Sequence, residues 1–169
     1  MSDIKEIKTN ININLIAEEI KNIELGGDNK DQICIQNVKG INDPFYGIGQ
    51  YGTDIDSSKR KQFYKNNSLE FIIPGFDIPY TNSIMSELKM YHTRIMKLKP
   101  KSCYSYHRDE LDRIHIPIIT NENCWFMIDM ELYNLPANGN YYFTKTTKMH
   151  TYINSSHEDR IHLVGHSAL

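Results

Sequence analysis

Five of the seven histidines in this 169-residue chain fall between positions 107 and 162, and three of them stand beside charged residues in spacings that suit chemistry. His107-Arg108-Asp109 sets an imidazole and a carboxylate at i and i+2. On an extended backbone both project to one side, where they can converge on one metal ion. Alone the pattern is weak, since a chain of this composition yields an H-x-D match by chance roughly half the time. His150 is followed ten residues later by Arg160, with the polar turn Asn154-Ser155-Ser156-His157-Glu158-Asp159 between them. The spacing predicts a hairpin in which the histidine and the arginine face a common interior. Arg113-Ile114-His115-Ile116-Pro117 puts Arg113 and His115 on one face and two isoleucines on the other. A buried strand rarely places a cation and an imidazole on one face unless something anionic is met there.

These residues need elements to hold them. Ile13, Ile16, Ile20 and Ile23 recur at helical spacing and predict an amphipathic helix over 11–23, stopped by Leu25-Gly26-Gly27-Asp28. Gln32–Gln36 alternates as a strand does. Residues 40–58, with four of the nine glycines, read as a long irregular loop whose aromatics Phe45, Tyr46 and Tyr51 are candidates for a lid. Lys59-Arg60-Lys61 reads as a solvated basic run. Leu69–Ile73 is expected to be a strand, and a helix capped by Thr81 or Asn82 is expected to run to about Tyr91.

From Thr93 onward the texture is β. Predicted strands are Arg94–Leu98, Cys103–His107, Arg113–Ile118, Cys124–Ile128, Tyr141–Phe143, Met149–Ile153 and Arg160–Val164, separated by turn-forming stretches such as Pro136-Ala137-Asn138-Gly139. Many short strands at this spacing predict a mainly β sandwich or barrel with helical support at its N-terminus. Composition agrees. At 40% apolar and 24% charged residues the chain is ordinary globular sequence, expected to form one domain over 1–169. Residues 1–75 would be N-terminal support and possible lid, and 76–169 the motif-bearing core. The formal charge of −2 gives no global field for nucleic acid or lipid. Cys34, Cys103 and Cys124 form no C-x-x-C pair, which fits a reducing compartment. With no apolar run of membrane length, the expectation is a cytoplasmic protein without a membrane partner.

Two imidazoles and one carboxylate on one side of a metal with open positions are the facial triad of non-haem Fe(II) oxygenases. A fixed arginine in the same interior matches a co-substrate carboxylate in bidentate geometry. At these residues the sequence resembles the aspartyl/asparaginyl β-hydroxylase family of 2-oxoglutarate/Fe(II) oxygenases, which includes proline hydroxylases. The resemblance runs from Arg94 to Val164 through RIMKLKP, HRD, RIHIPI, the Trp125-Phe126 strand, Gly139, H-x-x-x-N from His150 to Asn154, and RIHLV from Arg160. It implies a double-stranded β-helix (a cupin-like jelly roll). It implies His107, Asp109 and His150 as the iron ligands, and Arg160 as the residue for the distal carboxylate of 2-oxoglutarate. Arg113 and His115 are implied as contacts to the co-substrate's other carboxylate or to the substrate. Some members lack the carboxylate ligand, and Asp109 places this chain with those whose triad is complete.

The function so implied is hydroxylation of a C–H bond in an amino acid, free or within a polypeptide, with Fe(II), 2-oxoglutarate and dioxygen. A non-catalytic jelly roll binding a metal or a small acid is the alternative from another class. A nucleic-acid demethylase of the same superfamily has only the basic run near Phe63 and Tyr64 in its favour. His162, two residues after Arg160, shares that residue's face and is a candidate pocket residue. Asn154 is expected to form the turn, and one of Trp125 and Phe126, on opposite faces, can line the pocket.

Overall fold

The structure is a computed structural model and describes residues 2–25, 31–46, 48 and 68–168. Strand β1 (Ile4–Ile7) leads into helix α1 (Ile13–Ile20), then into β2 (Gln32–Cys34) and β3 (Gln36–Asn37). After a 3-10 turn at Ser68–Glu70 come β4 (Ile73–Pro74), α2 (Pro79–Glu87), β5 (Met90–Leu98), β6 (Ser102–Cys103) and β7 (Arg113–Ile119). The chain finishes with β8 (Cys124–Ile128), β9 (Glu131–Tyr133), β10 (Tyr141–Thr144), β11 (His150–Asn154) and β12 (Arg160–Ser167).

A six-stranded sheet in the order β1-β10-β7-β12-β5-β2 faces a four-stranded sheet in the order β6-β11-β8-β9. From β5 to β12 the chain passes repeatedly between the two sheets, and every pairing is antiparallel. This is the expected double-stranded β-helix. Before residue 75, strands β1 and β2 are built into it, β1 pairing with β10 and β2 with β5.

The six-stranded sheet is covered on both faces. Its outer face carries Ile95, Ile114, Ile116, Ile118 and Leu163 against Ile16 and Ile20 of α1 and Ile84 and Met85 of α2. Between the sheets a smaller cluster forms from Leu98, Phe126, Ile128, Leu135, Tyr142 and Tyr152. β7 is therefore buried at six consecutive positions. Its isoleucines face the helices, and Arg113 and His115 face the space between the sheets.

The helices show how sequence signals act. Asn12 caps α1 by accepting from the Leu15 N–H at 3.1 Å, which satisfies one of the donors a helix start leaves open. α2 begins at Pro79, earlier than the expected cap at Thr81 or Asn82, because its cap comes from another helix. The Glu19 carboxylate accepts from the Tyr80 N–H (2.8 Å), the Thr81 N–H (2.8 Å) and the Thr81 hydroxyl (2.7 Å). α2 also stops before Tyr91, since Lys89 turns into the left-handed region (φ 46°) and the chain reverses into β5.

Three further expectations are corrected. Leu69–Ile73 is a 3-10 turn followed by a two-residue strand. Phe71 alone is buried there, while Leu69, Ile72 and Ile73 are exposed, so the apolar run has no sheet face to fill. Cys103–His107 keeps strand pairing only at Ser102–Cys103, and His107 makes an isolated bridge to His150. β11 and β12 are not a hairpin. β11 pairs with β6 and β8, whereas β12 pairs with β5 and β7. Asn154 holds the crossing by donating to the Leu98 and Glu158 carbonyls (2.9 and 2.8 Å) and accepting from the Ser156 N–H (3.0 Å). Of the lid aromatics, Phe45 packs against the helix-side core and Tyr46 stacks on Phe71 at 5.9 Å. Tyr51 and the Lys59-Arg60-Lys61 run lie outside the described residues, as does most of the 40–58 loop.

Gly139 sits at φ 82°, and a Cβ there would lie 2.9 Å from the Ile11 carbonyl oxygen. Only glycine meets both conditions, and the Ile11 N–H closes the contact onto the Gly139 carbonyl at 3.0 Å. Among the described residues no helix is long and apolar enough to cross a membrane.

Candidate active site

His107 and His150 are joined through their backbones. The His107 N–H donates to the His150 carbonyl (3.0 Å) and the His150 N–H donates back (2.7 Å), which brings the rings to 4.4 Å between centroids. Asp109 is fixed by its own N–H, donated to the Thr146 carbonyl at 2.8 Å. The ligand-capable atoms of His107, Asp109 and His150 all lie within 4.8 Å of one another.

The rings are oriented as metal ligands need to be. Nδ1 of His107 lies 2.6 Å from the Ser105 carbonyl, and Nδ1 of His150 lies 2.9 Å from the Lys148 carbonyl. A carbonyl oxygen only accepts, so each Nδ1 carries a hydrogen and Nε2 is the ring nitrogen left to face a metal. The Nε2 of His150 is 3.4 Å from Oδ2 of Asp109. Both atoms are buried without a hydrogen-bond partner. Arg113 occupies the other Asp109 oxygen, with Nη2 to Oδ1 at 2.6 Å. Burial alone would raise the Asp109 pKa, but the Arg113 guanidinium and the two imidazoles outweigh it and hold the carboxyl well below the usual carboxylate range. Burial, with the His150 and Arg113 charges adding to it, keeps the His107 pKa below its ordinary value despite the bond to Ser105. The donor set thus presents two imidazoles, each turned with Nε2 toward the shared space, and one ionised carboxylate, with Oδ2 turned inward. These atoms fit a divalent metal with nitrogen and oxygen ligands.

A second feature lies further along the same interior. Arg160 is 3% exposed and has no carboxylate partner among the described residues. Its Nη2 donates to Nδ1 of His162 at 2.9 Å, and its guanidinium lies 4.9 Å from the centre of the Tyr152 ring. With Nδ1 accepting, His162 carries its hydrogen on Nε2, which is buried without a partner. A buried guanidinium beside an unanswered N–H fits a carboxylate. His115 stands between the two features, its Nε2 3.0 Å from the Tyr152 hydroxyl and its ring 5.7 Å from that of His162. Burial, reinforced by Arg160, pushes the pKa of both His115 and His162 well below the ordinary value and keeps them neutral.

The structure therefore brings His107, Asp109 and His150 together and sets Arg160 and His115 on the same interior. Arg113 it places on Asp109. The sequence reading missed Tyr152, which touches His115, Arg160 and His150 and stacks on Phe126 at 4.4 Å. The signal for it was its position two residues after His150, on the same strand face. Of the Trp125-Phe126 pair, Phe126 is the one turned inward.

A jelly roll that gathers two histidines and an aspartate between its sheets, beside a buried arginine, has the build of the non-haem Fe(II) oxygenase class. The chain belongs to the aspartyl/asparaginyl β-hydroxylase family, whose model matches residues 75–166, more than half of its length. Its fold is similar to that of an oxidoreductase of the 2OG-Fe(II) oxygenase family from Burkholderia pseudomallei. That likeness has a TM-score of 0.50 at 11% identity and covers 96% of this chain and 84% of that one. A prolyl-4-hydroxylase from Pseudomonas putida aligns at 10% identity and TM-score 0.45 over 96% of this chain and 90% of that one. A cupin-2 domain protein from Shewanella frigidimarina aligns at 12% identity and TM-score 0.35 over 47% and 71%. No curated protein matches the chain.

Proposed function

We propose that this protein is an Fe(II)- and 2-oxoglutarate-dependent hydroxylase acting on a C–H bond of an amino acid, free or within a polypeptide. The observation that carries the reading is the pair of unanswered polar groups in one interior: the inward His150 Nε2 and Asp109 Oδ2 at one place, and the uncompensated Arg160 at another. His107 and His150, through Nε2, and Asp109, through Oδ2, would hold the iron. When bound, it supplies the redox chemistry by which 2-oxoglutarate, dioxygen and R–H become succinate, carbon dioxide and R–OH.

The chain's own residues do the rest. Ser105 and Lys148 fix the two rings through their Nδ1 hydrogens, and Arg113 fixes the carboxylate by occupying Oδ1, which leaves Oδ2 toward His150. Arg160 receives the distal carboxylate of 2-oxoglutarate, with the His162 Nε2–H beside it. His115 and Tyr152, both neutral and hydrogen-bonded to each other, line the space between, and Phe126 closes it to water. Water exclusion matters because a guanidinium–carboxylate pair gains strength as the local dielectric falls.

The test pairs binding with turnover. Mn(II) or Fe(II) should raise the melting temperature of the metal-free protein, because a ligand that binds only the native state stabilises it; at one hundred times Kd the gain is about 2.7 kcal/mol. His150→Ala should abolish that gain. Wild-type protein with Fe(II), ascorbate and 2-oxoglutarate should form succinate. Metal-independent melting of the wild type together with absence of succinate would sink the reading.

A further inference from the structure

Of the three candidate metal ligands, Asp109 has the least support from regular structure. His107 and His150 are tied to each other by a reciprocal backbone bridge. Residues 108–112 form neither helix nor strand before β7 begins at Arg113, so side chains must hold that turn. Its near end is fixed where the Asp109 N–H meets the Thr146 carbonyl at 2.8 Å. Further on, the Thr146 hydroxyl donates to the Leu111 carbonyl at 2.8 Å. The Thr147 N–H and hydroxyl donate to Oδ1 of Asp112 at 3.1 and 2.7 Å. These supports come from the connection between β10 and β11. His166 reaches the same turn from β12, with Nδ1 2.9 Å from the Asp112 carbonyl. A carbonyl only accepts, so this Nδ1 carries a hydrogen and donates it.

The backbone is shaped to deliver that imidazole. Gly165 of β12 pairs with Ile114 of β7, which sets His166 beside the start of β7. On its other side β12 meets a bulge. Between the pairs Val164–Arg94 and His166–Tyr91, β12 advances two residues while β5 spans three. His92, within the bulge, takes φ 52°, a region that a non-glycine residue enters at a cost. Across from it a Cβ on Gly165 would lie 2.7 Å from the Thr93 hydroxyl oxygen, so β12 approaches the bulge this closely only with a glycine there. Bulges of this kind re-aim side chains beside active sites. Here the outcome is a histidine ring packed 5.4 Å from the Tyr91 ring and 6.1 Å from the His92 ring, its N–H committed to the Asp112 carbonyl.

Burial, with the Arg113 and Arg94 charges adding to it, holds the His166 pKa down at about 4 despite the bond to Asp112. The ring is thus a neutral donor, and it adds no charge next to the Asp109–Arg113 pair. Thr147 is exposed, where water can replace its bonds to Asp112; His166 is 3% exposed. We propose that His166 is a positioning residue for the candidate metal centre. By holding the Asp112 carbonyl from β12, it sets the turn that carries Asp109 to His107 and His150. This inference rests on the metal reading of the site and adds to it a residue that touches neither metal nor co-substrate.

The experiment measures Mn(II) affinity by calorimetry on metal-free protein at neutral pH, for wild type, His166→Leu, His166→Asn and His166→Gln. Loss of the donor in His166→Leu should weaken Mn(II) binding about 10-fold, the lower end of what losing a ligand-orienting contact costs. Asparagine places an N–H as many bonds from the backbone as Nδ1 of histidine, so His166→Asn should stay within about 3-fold of wild type. Glutamine carries its N–H one carbon further out, and His166→Gln should resemble His166→Leu. A role in packing alone gives the reverse order, because glutamine fills the space of the ring better than asparagine does. If His166→Leu fails to fold, the comparison of His166→Asn with His166→Gln decides the matter by itself.

A second arm repeats His166→Leu in the Asp109→Ala background. With no carboxylate left to position, the substitution should change the remaining Mn(II) affinity less than about two-fold, which is the coupling expected of residues that act through one another. An equal loss in both backgrounds makes His166 a general structural residue and overturns the proposal. So does wild-type Mn(II) affinity in His166→Leu, and so does tighter binding by His166→Gln than by His166→Asn. Wild-type protein that binds no Mn(II) is a different result, and it strikes the underlying metal reading together with this one.

Discussion

Replacing Arg160 by Met separates a 2-oxoglutarate pocket from a generic buried cation. In the ligand-free protein two small losses accompany the change. The hydrogen bond to His162 Nδ1 at 2.9 Å disappears, at about 1 kcal/mol. The contact with the Tyr152 ring at 4.9 Å disappears as well, at about 0.5–2 kcal/mol. Against them stands relief of a buried charge with no carboxylate partner, since replacing buried ionic groups by well-packed apolar ones is often neutral or stabilising by about 1–4 kcal/mol. The terms nearly cancel, so the melting temperature should move by only a few degrees.

Co-substrate binding has no such cancellation. The distal carboxylate would enter a dry pocket with its counter-charge gone, at a loss of about 2–5 kcal/mol, or roughly 30- to 5,000-fold in affinity. Arg160→Lys keeps the charge but loses the two-pronged geometry, and should fall between. Calorimetric titration of 2-oxoglutarate into Mn(II)-loaded protein reads this directly. Pyruvate, which has no distal carboxylate, should bind wild type and Arg160→Met with equal weakness. Metal affinity measured without co-substrate should be unchanged, because Arg160 is not among the three clustered ligands. An unchanged 2-oxoglutarate affinity in Arg160→Met would refute the assignment and favour the jelly roll as a plain binding module.

Two further outcomes follow from the contacts around the site and the helices. Arg113→Met removes the partner of Asp109 Oδ1 and leaves burial to raise the carboxyl's pKa, so Mn(II) affinity should drop about 10- to 100-fold near neutral pH, the usual cost of losing a residue that orients a ligand; an unchanged Mn(II) dissociation constant would mean that Asp109 needs no such support. Glu19→Ala removes the cap of α2 and should cost about 0.5–2 kcal/mol in chemical denaturation. Burial works to raise the Glu19 pKa, but the Thr81 hydroxyl and the Thr81 and Tyr80 N–H groups outweigh it and lower it below 4.5. The cap's contribution is therefore full above that value and fades as pH falls through the depressed pKa, so wild-type and variant stabilities should converge in acid; a gap that persists there would mean the side chain acts through packing.

The parts of this molecule that were legible in its sequence are those where one strand's own alternation carries the information. Arg113-Ile114-His115-Ile116 showed two faces, and both exist: isoleucines to the helices, Arg113 and His115 to the interior. The convergence of His107 and Asp109 was legible from residue type and spacing, and the family resemblance added His150, although the agent that brings the two histidines together is a reciprocal backbone bridge between residues 43 apart in sequence. Alternation is silent about neighbours, which is why β11 and β12 looked like a hairpin when each in fact pairs with other strands. The α2 cap was likewise out of reach, because Glu19 lies about sixty residues upstream of the N–H groups it accepts from.

Arg94 carries this argument to its end. Within Arg94-Ile95-Met96-Lys97-Leu98 a cation alternating with apolar residues reads as a strand with one face in water, and Lys97 does have an exposed acidic neighbour in Asp159 at 3.6 Å. Only the layering of the fold changes the meaning. Because helices cover the outer face of the six-stranded sheet and the second sheet covers the inner one, β5 is buried at seven of its nine positions, and the polar residues on its inner face have no water to turn to. A polar residue in such a position is either answered by the chain or waits for a ligand. Arg113 is answered by Asp109; His150 Nε2, Asp109 Oδ2, His162 Nε2 and Arg94 Nε and Nη2 are not. Those unanswered atoms lie in one interior, and their chemistry suits a divalent metal at the acid–imidazole end and an anion beside Arg160 and His162.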